Sequence, residues 1–253
     1  MNAQIFKEPF HPFNGQSFID TIKIRKISDV IKHLEPGFAC GAHNSVGSGV
    51  VHLRPMNIDI HGELSLTQVK RVNPEFNQKR LKKFDVLFNN TNSPELVGKT
   101  TLIRKIDQEF AFSNHMTRIE FDESLVFPAF AAIQLHYLFQ SRYFRHRCTN
   151  HVSQASISGD FLKDSVPLLL PPMAIQERIV AKIEKLFDNL DKGVESLNTA
   201  KKQLEQYRQS VLKQAFEGKL TAEWREQNKD KIEPADKLLE RIERERESNY
   251  QAR

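Results

Sequence analysis

Pro171-Pro172-Met173-Ala174-Ile175-Gln176-Glu177-Arg178-Ile179-Val180, continuing as AKIEKLFDNLDKGVESLNTAKKQLEQYRQSVLKQAF to Phe216, is the stretch whose reading decides the architecture. Within it Ile183, Leu190, Leu197, Leu204 and Val211 stand seven residues apart. A second series, Ile179, Leu186, Gly193, Ala200 and Tyr207, falls three residues after or four before each of them. This is an a/d seam sustained for about five heptads. It predicts a helix over 174–217 that, at about 1.5 Å per residue, would run roughly 55 Å and so outreach a small domain. A helix with such a seam needs a partner helix. Lys182, Glu184, Lys185, Asp188, Lys201, Lys202, Glu205 and Arg208 charge the rest of its circumference, which suits a projecting element. The other reading of the same seam is a core helix folded back on its own domain. Gly193 and Ala200 at d positions favour close approach, as in a tight antiparallel pair, although Gly193 weakens the helix by up to about 1 kcal/mol relative to Ala.

Upstream of the double proline the chain changes character. Of its 18 Phe, all but Phe187 and Phe216 precede Pro171, so the packed core belongs to residues 1–170. The 253 residues leave room for one sizeable domain plus an extension, and the division predicted is 1–170 and 171–253, the latter with a short charged helix at 234–247. The net charge of +5 divides as +4 and +1 between these parts, a modest excess compatible with nucleic acid. Cys40 and Cys148 have no CxxC or Cys/His spacing, so neither zinc nor a disulfide framework is signalled. No apolar run reaches the length of a membrane span, and Met1–Pro12 lacks the basic and apolar regions of a leader. A cytoplasmic setting is expected.

Within residues 1–170 the pattern is mixed. Ser17–Ile31 reads as an extended segment leading to a short helix, and Glu35–Gly49 as a loop. Strand-like runs follow at Val50–Leu53, Leu64–Val69, Asp85–Phe88, Thr100–Ile106, Phe110–Phe112 and Met116–Phe121. Pro128 is placed to open a helix reaching about Phe144. The fold class implied is α+β, a globular domain with a twisted, mostly antiparallel sheet followed by a long coiled-coil helix.

Two motifs suggest catalysis and fail on inspection. Gly98-Lys99-Thr100 resembles the end of a phosphate-binding loop, but the first glycine is replaced by Ser93 and a strand follows where the phosphate-binding helix should begin. Asn73-Pro74-Glu75-Phe76 resembles the flipped-base loop of amino-methyltransferases, with Glu75 in place of the second proline and no glycine-rich cofactor strand. No carboxylate pair or Ser/His/Asp arrangement marks an active site. What stands out is polar loops beside basic residues. Asn89-Asn90-Thr91-Asn92-Ser93 leads to Lys99, and Arg142, Arg145, His146 and Arg147 precede Asn150-His151-Val152-Ser153-Gln154. Amides and Arg can pair with base edges, while Lys and hydroxyls mostly hold phosphates. A bland turn accounts for Asn-Thr-Asn-Ser equally well.

Four segments carry a family resemblance. They are Leu53-Arg54-Pro55-Met56-Asn57-Ile58, then Leu81–Phe88 with Asn90–Lys99, then Pro171–Val180, and finally Gly218-Lys219-Leu220-Thr221-Ala222-Glu223-Trp224-Arg225. In order and spacing the chain, over about residues 20–245, resembles the DNA specificity (S) subunit of type I restriction-modification systems. The resemblance implies a target recognition domain reading half of a bipartite DNA site and a spacer helix pairing antiparallel with its counterpart. It further implies a subunit without chemistry of its own. Its partners would be double-stranded DNA, methyltransferase subunits, restriction subunits that join the complex, and a second copy or another specificity chain; S-adenosylmethionine would sit on the methyltransferase. Candidate DNA contacts are then Arg54, Asn57, Asn90, Thr91, Asn92, Ser93, Lys99, Arg142, Arg145, His146, Arg147 and Gln154. Candidate pairing residues are Ile179, Ile183, Leu186, Leu190, Leu197, Leu204, Tyr207 and Val211.

Two departures from the family pattern are visible. An acidic residue is usual before Gln176, where this chain has Ile175. The family usually carries two recognition domains and two spacer helices, whereas one of each is seen here without an internal repeat, which reads as a half-length subunit completed by a symmetric dimer. The other readings are a non-functional remnant of a longer subunit, a methyltransferase fragment, and a coiled-coil scaffold without DNA affinity.

Overall fold

The computed structural model describes residues 22–44, 47–75 and 79–251. The start of the Ser17–Ile31 segment, the Met1–Pro12 stretch and Phe76 lie outside the described residues. The chain divides into two compact units after Lys185, whereas the sequence reading cuts at Leu170.

The first unit is built around a four-stranded antiparallel sheet of β2 (Ile31–Pro36), β9 (Met116–Phe121), β5 (Val86–Asn89) and β7 (Thr100–Leu102), in that spatial order. Side chains alternate across a strand, and here both faces are covered. Val86 and Phe88 enter one apolar core with Ile119, Phe121, Leu135 and Phe144, while Leu87 enters another with Leu53, Ile58, Phe110, Phe112 and Met116. That is why the strand from Val86 to Asn89 is buried throughout rather than half polar.

Three smaller sheets surround it. β3 (Val50–Leu53) lies between β4 (Lys70–Val72), antiparallel, and β8 (Phe110–Phe112), parallel. β1 (Lys23–Lys26) pairs with β12 (Pro167–Leu170), and β11 (Ala155–Ser156) lies between β10 (Thr149–Asn150) and β6 (Thr91–Asn92). α1 (Pro128–Gln140) opens with its N1 proline and stops before Phe144, because Arg142 takes a left-handed conformation at φ 63°. Phe144 is thereby turned edge-on to Phe88 at 5.0 Å. Gly98, at φ 96°, passes so close to this ring that a Cβ would lie 2.4 Å from it.

Leu64–Val69 is not a strand. Apart from a bridge between Ile58 and Leu64, it is a loop whose Ser65 and Gln68 carbonyls accept N–H bonds from the Asn57 amide; the strand begins at Lys70. Thr100–Ile106 is strand only to Leu102. β2, β12 and α2 (Gly159–Ser165) were not legible as elements in the sequence.

α3 (Met173–Phe216) is the long helix that the heptads predict. Its first turns belong to the first unit: Ile175, Gln176 and Val180 are buried and Ile179 packs against the core. Gln176 accepts from the Phe127 backbone N–H at 2.9 Å and donates to the Pro171 and Leu125 carbonyls. Ile175 is buried beside it, which accounts for an apolar residue in place of an acidic one.

From Leu186 onward α3 carries its apolar residues on the surface: Leu186, Leu190, Leu197, Leu204 and Tyr207 are all more than half exposed. Gly218, left-handed at φ 69°, ends the helix. α4 (Ala222–Gln227) and α5 (Ala235–Gln251) follow. No helix among the described residues is long and apolar enough to cross a membrane.

Candidate nucleic-acid interface

Residues far apart in sequence share one cleft of about 460 Å3 in the first unit. Pro55 and Met56 form one wall, Thr91, Asn92, Ser93, Leu96 and Lys99 line it, His115 borders it, and Ser153 and Gln154 complete it. β6 pairing with β11 fixes this geometry, with Asn92 opposite Ala155 and Thr91 opposite Ser156. A neighbouring hollow of about 300 Å3 is lined by Pro94, Glu95, Val97, Phe139, Gln140, Arg142 and Arg145. The three candidate loops of the sequence reading therefore lie around adjoining depressions.

The candidates do not all offer their polar groups outward. Asn57, 1% exposed, accepts the Arg54 N–H at 3.0 Å while both its N–H groups bond carbonyls. Its carboxamide is fully committed, so Asn57 is corrected from DNA contact to loop anchor. Lys99 is likewise buried, with Nζ donating to the Pro55 carbonyl at 2.9 Å and to that of Ile58. Burial lowers its pKa, opposed by the Asp59 carboxylate. This ammonium holds the Pro55 turn in place and is corrected as a phosphate contact. Asn90 donates to the Thr117 hydroxyl at 2.8 Å and the Asn114 carbonyl at 3.3 Å, and accepts from the Thr91 hydroxyl at 2.9 Å. It fixes the turn that carries His115, and its amide too is closed to a ligand.

Other candidates remain open. Asn92 accepts the Ser93 N–H at 2.8 Å, which leaves its own N–H groups as donors. Gln154 is exposed, and no hydrogen bond occupies its carboxamide among the described residues; its backbone carbonyl accepts from His151 N–H at 2.7 Å, closing the turn. Arg54 is half-buried, its Nε without a partner among the described residues.

Arg145 reaches Glu95 at 3.4 Å, and the Arg147 guanidinium lies 3.9 Å from the Tyr143 ring centre, so both are oriented. Arg142 and His146 are exposed. Cations gathered just beyond a helix C-terminus are favoured by the helix dipole. Met56, His115 and Val152 were missed as candidates. A single sequence shows Met and Val as core residues by default; only their exposure here, 50% and complete, marks them. Among the described residues no group of three metal-ligating side chains is placed to hold an ion.

Residues 21–206 match the family model of the type I restriction modification DNA specificity domain. The specificity subunit of the type I restriction enzyme EcoKI from Escherichia coli K12 is 34% identical over 181 residues, covering 68% of this chain and 38% of that protein. The StySPI specificity subunit from Salmonella potsdam is 30% identical over 183 residues, covering 71% and 39%. The chain thus spans well under half the length of these relatives. Its fold is similar to that of the HsdS subunit from Thermoanaerobacter tengcongensis, with a TM-score of 0.51 at 18% identity over 71% of this chain and 41% of that one. It is also similar to a chain of a type I R-M system described for its complex assembly and conformational transition, with a TM-score of 0.57 at 18% identity over 85% and 49%. The chain belongs to the type I restriction modification DNA specificity family.

Proposed function

We propose that this chain is a sequence-specific DNA-recognition subunit of a cytoplasmic type I restriction-modification complex. Residues 1–170 would form its target recognition domain, and residues 171–253 its spacer region. It reads one half-site and directs methyltransferase and, through the complex, restriction subunits to a bipartite target, while the chemistry and S-adenosylmethionine belong to the methyltransferase. The observation that carries this reading is the convergence of the Pro55 turn, the Asn92 strand and the Gln154 turn on one cleft, beside exposed Arg142 and His146. Such an arrangement separates base reading from backbone positioning, as specific DNA binding requires.

The surface seam of α3 supports a second copy, or another specificity chain, as the partner helix. Centred between Asn198 and Thr199, antiparallel pairing of two copies sets Leu197 against Ala200, Leu204 against Gly193, Leu190 against Tyr207 and Leu186 against Val211. Each small d side chain then receives a leucine. The deciding experiment is base-resolution mapping of methylated sites in cells that carry this chain with the methyltransferase subunit of its system. A defined motif that disappears when the chain is removed supports the reading; methylation that is absent or indifferent to sequence refutes it.

A further inference from the structure

The turn between β10 and β11 has features that packing does not explain. Its strands pair Thr149 with Ser156 and Asn150 with Ala155, and β11 in turn pairs with β6. The turn itself is braced by the His151 N–H to Gln154 carbonyl bond at 2.7 Å and by the His151 ring against the Ser156 hydroxyl at 2.9 Å. At the tip of this braced hairpin Val152 is fully exposed. Two residues on, Gln154 is exposed and its carboxamide holds no hydrogen bond among the described residues. A two-stranded β-ribbon is one of the shapes that the major groove admits, and the β10–β11 hairpin supplies one at the edge of its three-stranded sheet.

The chemistry of the tip selects among base pairs. A free carboxamide matches the N6–H donor and N7 acceptor of adenine, and an apolar branched side chain matches the thymine methyl of the same pair. Guanine would call for a guanidinium or ammonium, but among the described residues no arginine lines the cleft beside Gln154, and the Lys99 ammonium there is turned to the Pro55 and Ile58 carbonyls. Asn92 is a poor rival for adenine, since its acceptor oxygen already holds the Ser93 N–H.

We infer that the 150–155 hairpin enters the major groove and reads one A·T pair of the half-site, Gln154 on the adenine edge and Val152 on the thymine methyl. This rests on the reading of the chain as a DNA-specificity subunit. Arg142 and His146, just upstream in the chain, are the phosphate contacts that would hold the ribbon in register.

The test uses the full chain assembled with its methyltransferase subunit, binding duplexes in which each base pair of the mapped motif is changed in turn. Gln154→Ala should lose discrimination at a single A·T position by about tenfold or more and leave the other positions unchanged. Replacing thymine by deoxyuridine at that position should weaken wild-type binding several-fold and leave Val152→Gly unaffected. Both side chains are exposed, so melting temperatures of the variants should match wild type, and a fall would betray a structural role. A motif unchanged in Gln154→Ala, or a deoxyuridine effect equal in wild type and Val152→Gly, overturns the assignment while the DNA-specificity reading stands. Loss of methyltransferase binding in a Val152 variant whose DNA selectivity is intact makes the tip a protein contact and also overturns it. Wild-type binding without any sequence preference removes the DNA-specificity reading itself, and this assignment with it.

Discussion

At the residue scale, the polar side chains divide by whether their hydrogen-bonding capacity is already used. Asn57→Ala would orphan the Ser65 and Gln68 carbonyls and the Arg54 N–H, and unfolding by urea should show a loss of about 2–4 kcal/mol. Lys99→Ala should lower the melting temperature and leave the salt dependence of DNA binding unchanged, because its ammonium faces carbonyls. Arg142→Ala should do the reverse, flattening that dependence by about one unit of slope with stability intact. His52 gives a pH signature. It is buried, packed with tilted rings against Phe38 and bonded to His43 at 2.8 Å, and burial, aided by His43, pulls its pKa down to about 4 from 6.5. Between those values the unfolded chain takes up a proton that the folded chain refuses, so stability falls as pH drops through this window. The loss attributable to His52 is about 3 kcal/mol once pH reaches 4. Unfolding curves at pH 7 and pH 4 should diverge by that much less in His52→Gln.

At the scale of the element, α3 carries one heptad pattern through two different environments. Val180 is buried, whereas Leu197 and Leu204 are 72% and 68% exposed. Val180→Asp should therefore unfold the first unit. Leu197→Glu or Leu204→Lys should leave the first unit folded and should abolish self-association in sedimentation velocity by placing a charge in a dry seam, losing any stability that association confers. A wild-type chain that sediments as a monomer at micromolar concentration would exclude the second copy as partner. The heptads announced this helix within a residue at each end, because a repeat of seven is a local property of the chain. Where it leaves the core was not announced: Ile179 and Leu186 look alike in the repeat, and only the surrounding residues pack one against the core and leave the other exposed.

For the whole molecule, pairing of two copies about a two-fold axis requires a target with the same symmetry. The methylated motif should be an interrupted palindrome, two inverted half-sites separated by bases that are not read. Deleting one heptad, Leu197–Gln203, keeps the seam in phase and shortens each helix by about 10 Å, near three base-pair steps. Motif mapping should then return the same half-sites with a spacer shorter by a few base pairs. An asymmetric motif with no other specificity chain present, or a deletion that alters bases rather than spacing, defeats the dimer.

Taken alone, the sequence determined what depends on short-range pattern: the long helix, the Phe-rich core before Pro171, the strands at Val50, Phe110 and Met116, and the family. Each follows from periodicity or ordered motifs that survive without knowledge of neighbours. Only the tertiary structure decided which polar residues are available. Asn57, Asn90, Asn92 and Gln154 are equivalent as carboxamides in a sequence; folding closes the first on its own loop and the second largely on the remote Asn114 and Thr117, leaves the third half open and the fourth without a hydrogen bond among the described residues. It likewise buried Lys99, exposed Val152 and joined β6 to β11. Such outcomes rest on long-range contacts, and a hydrogen bond to a remote carbonyl leaves no trace in the spacing of the residue that makes it.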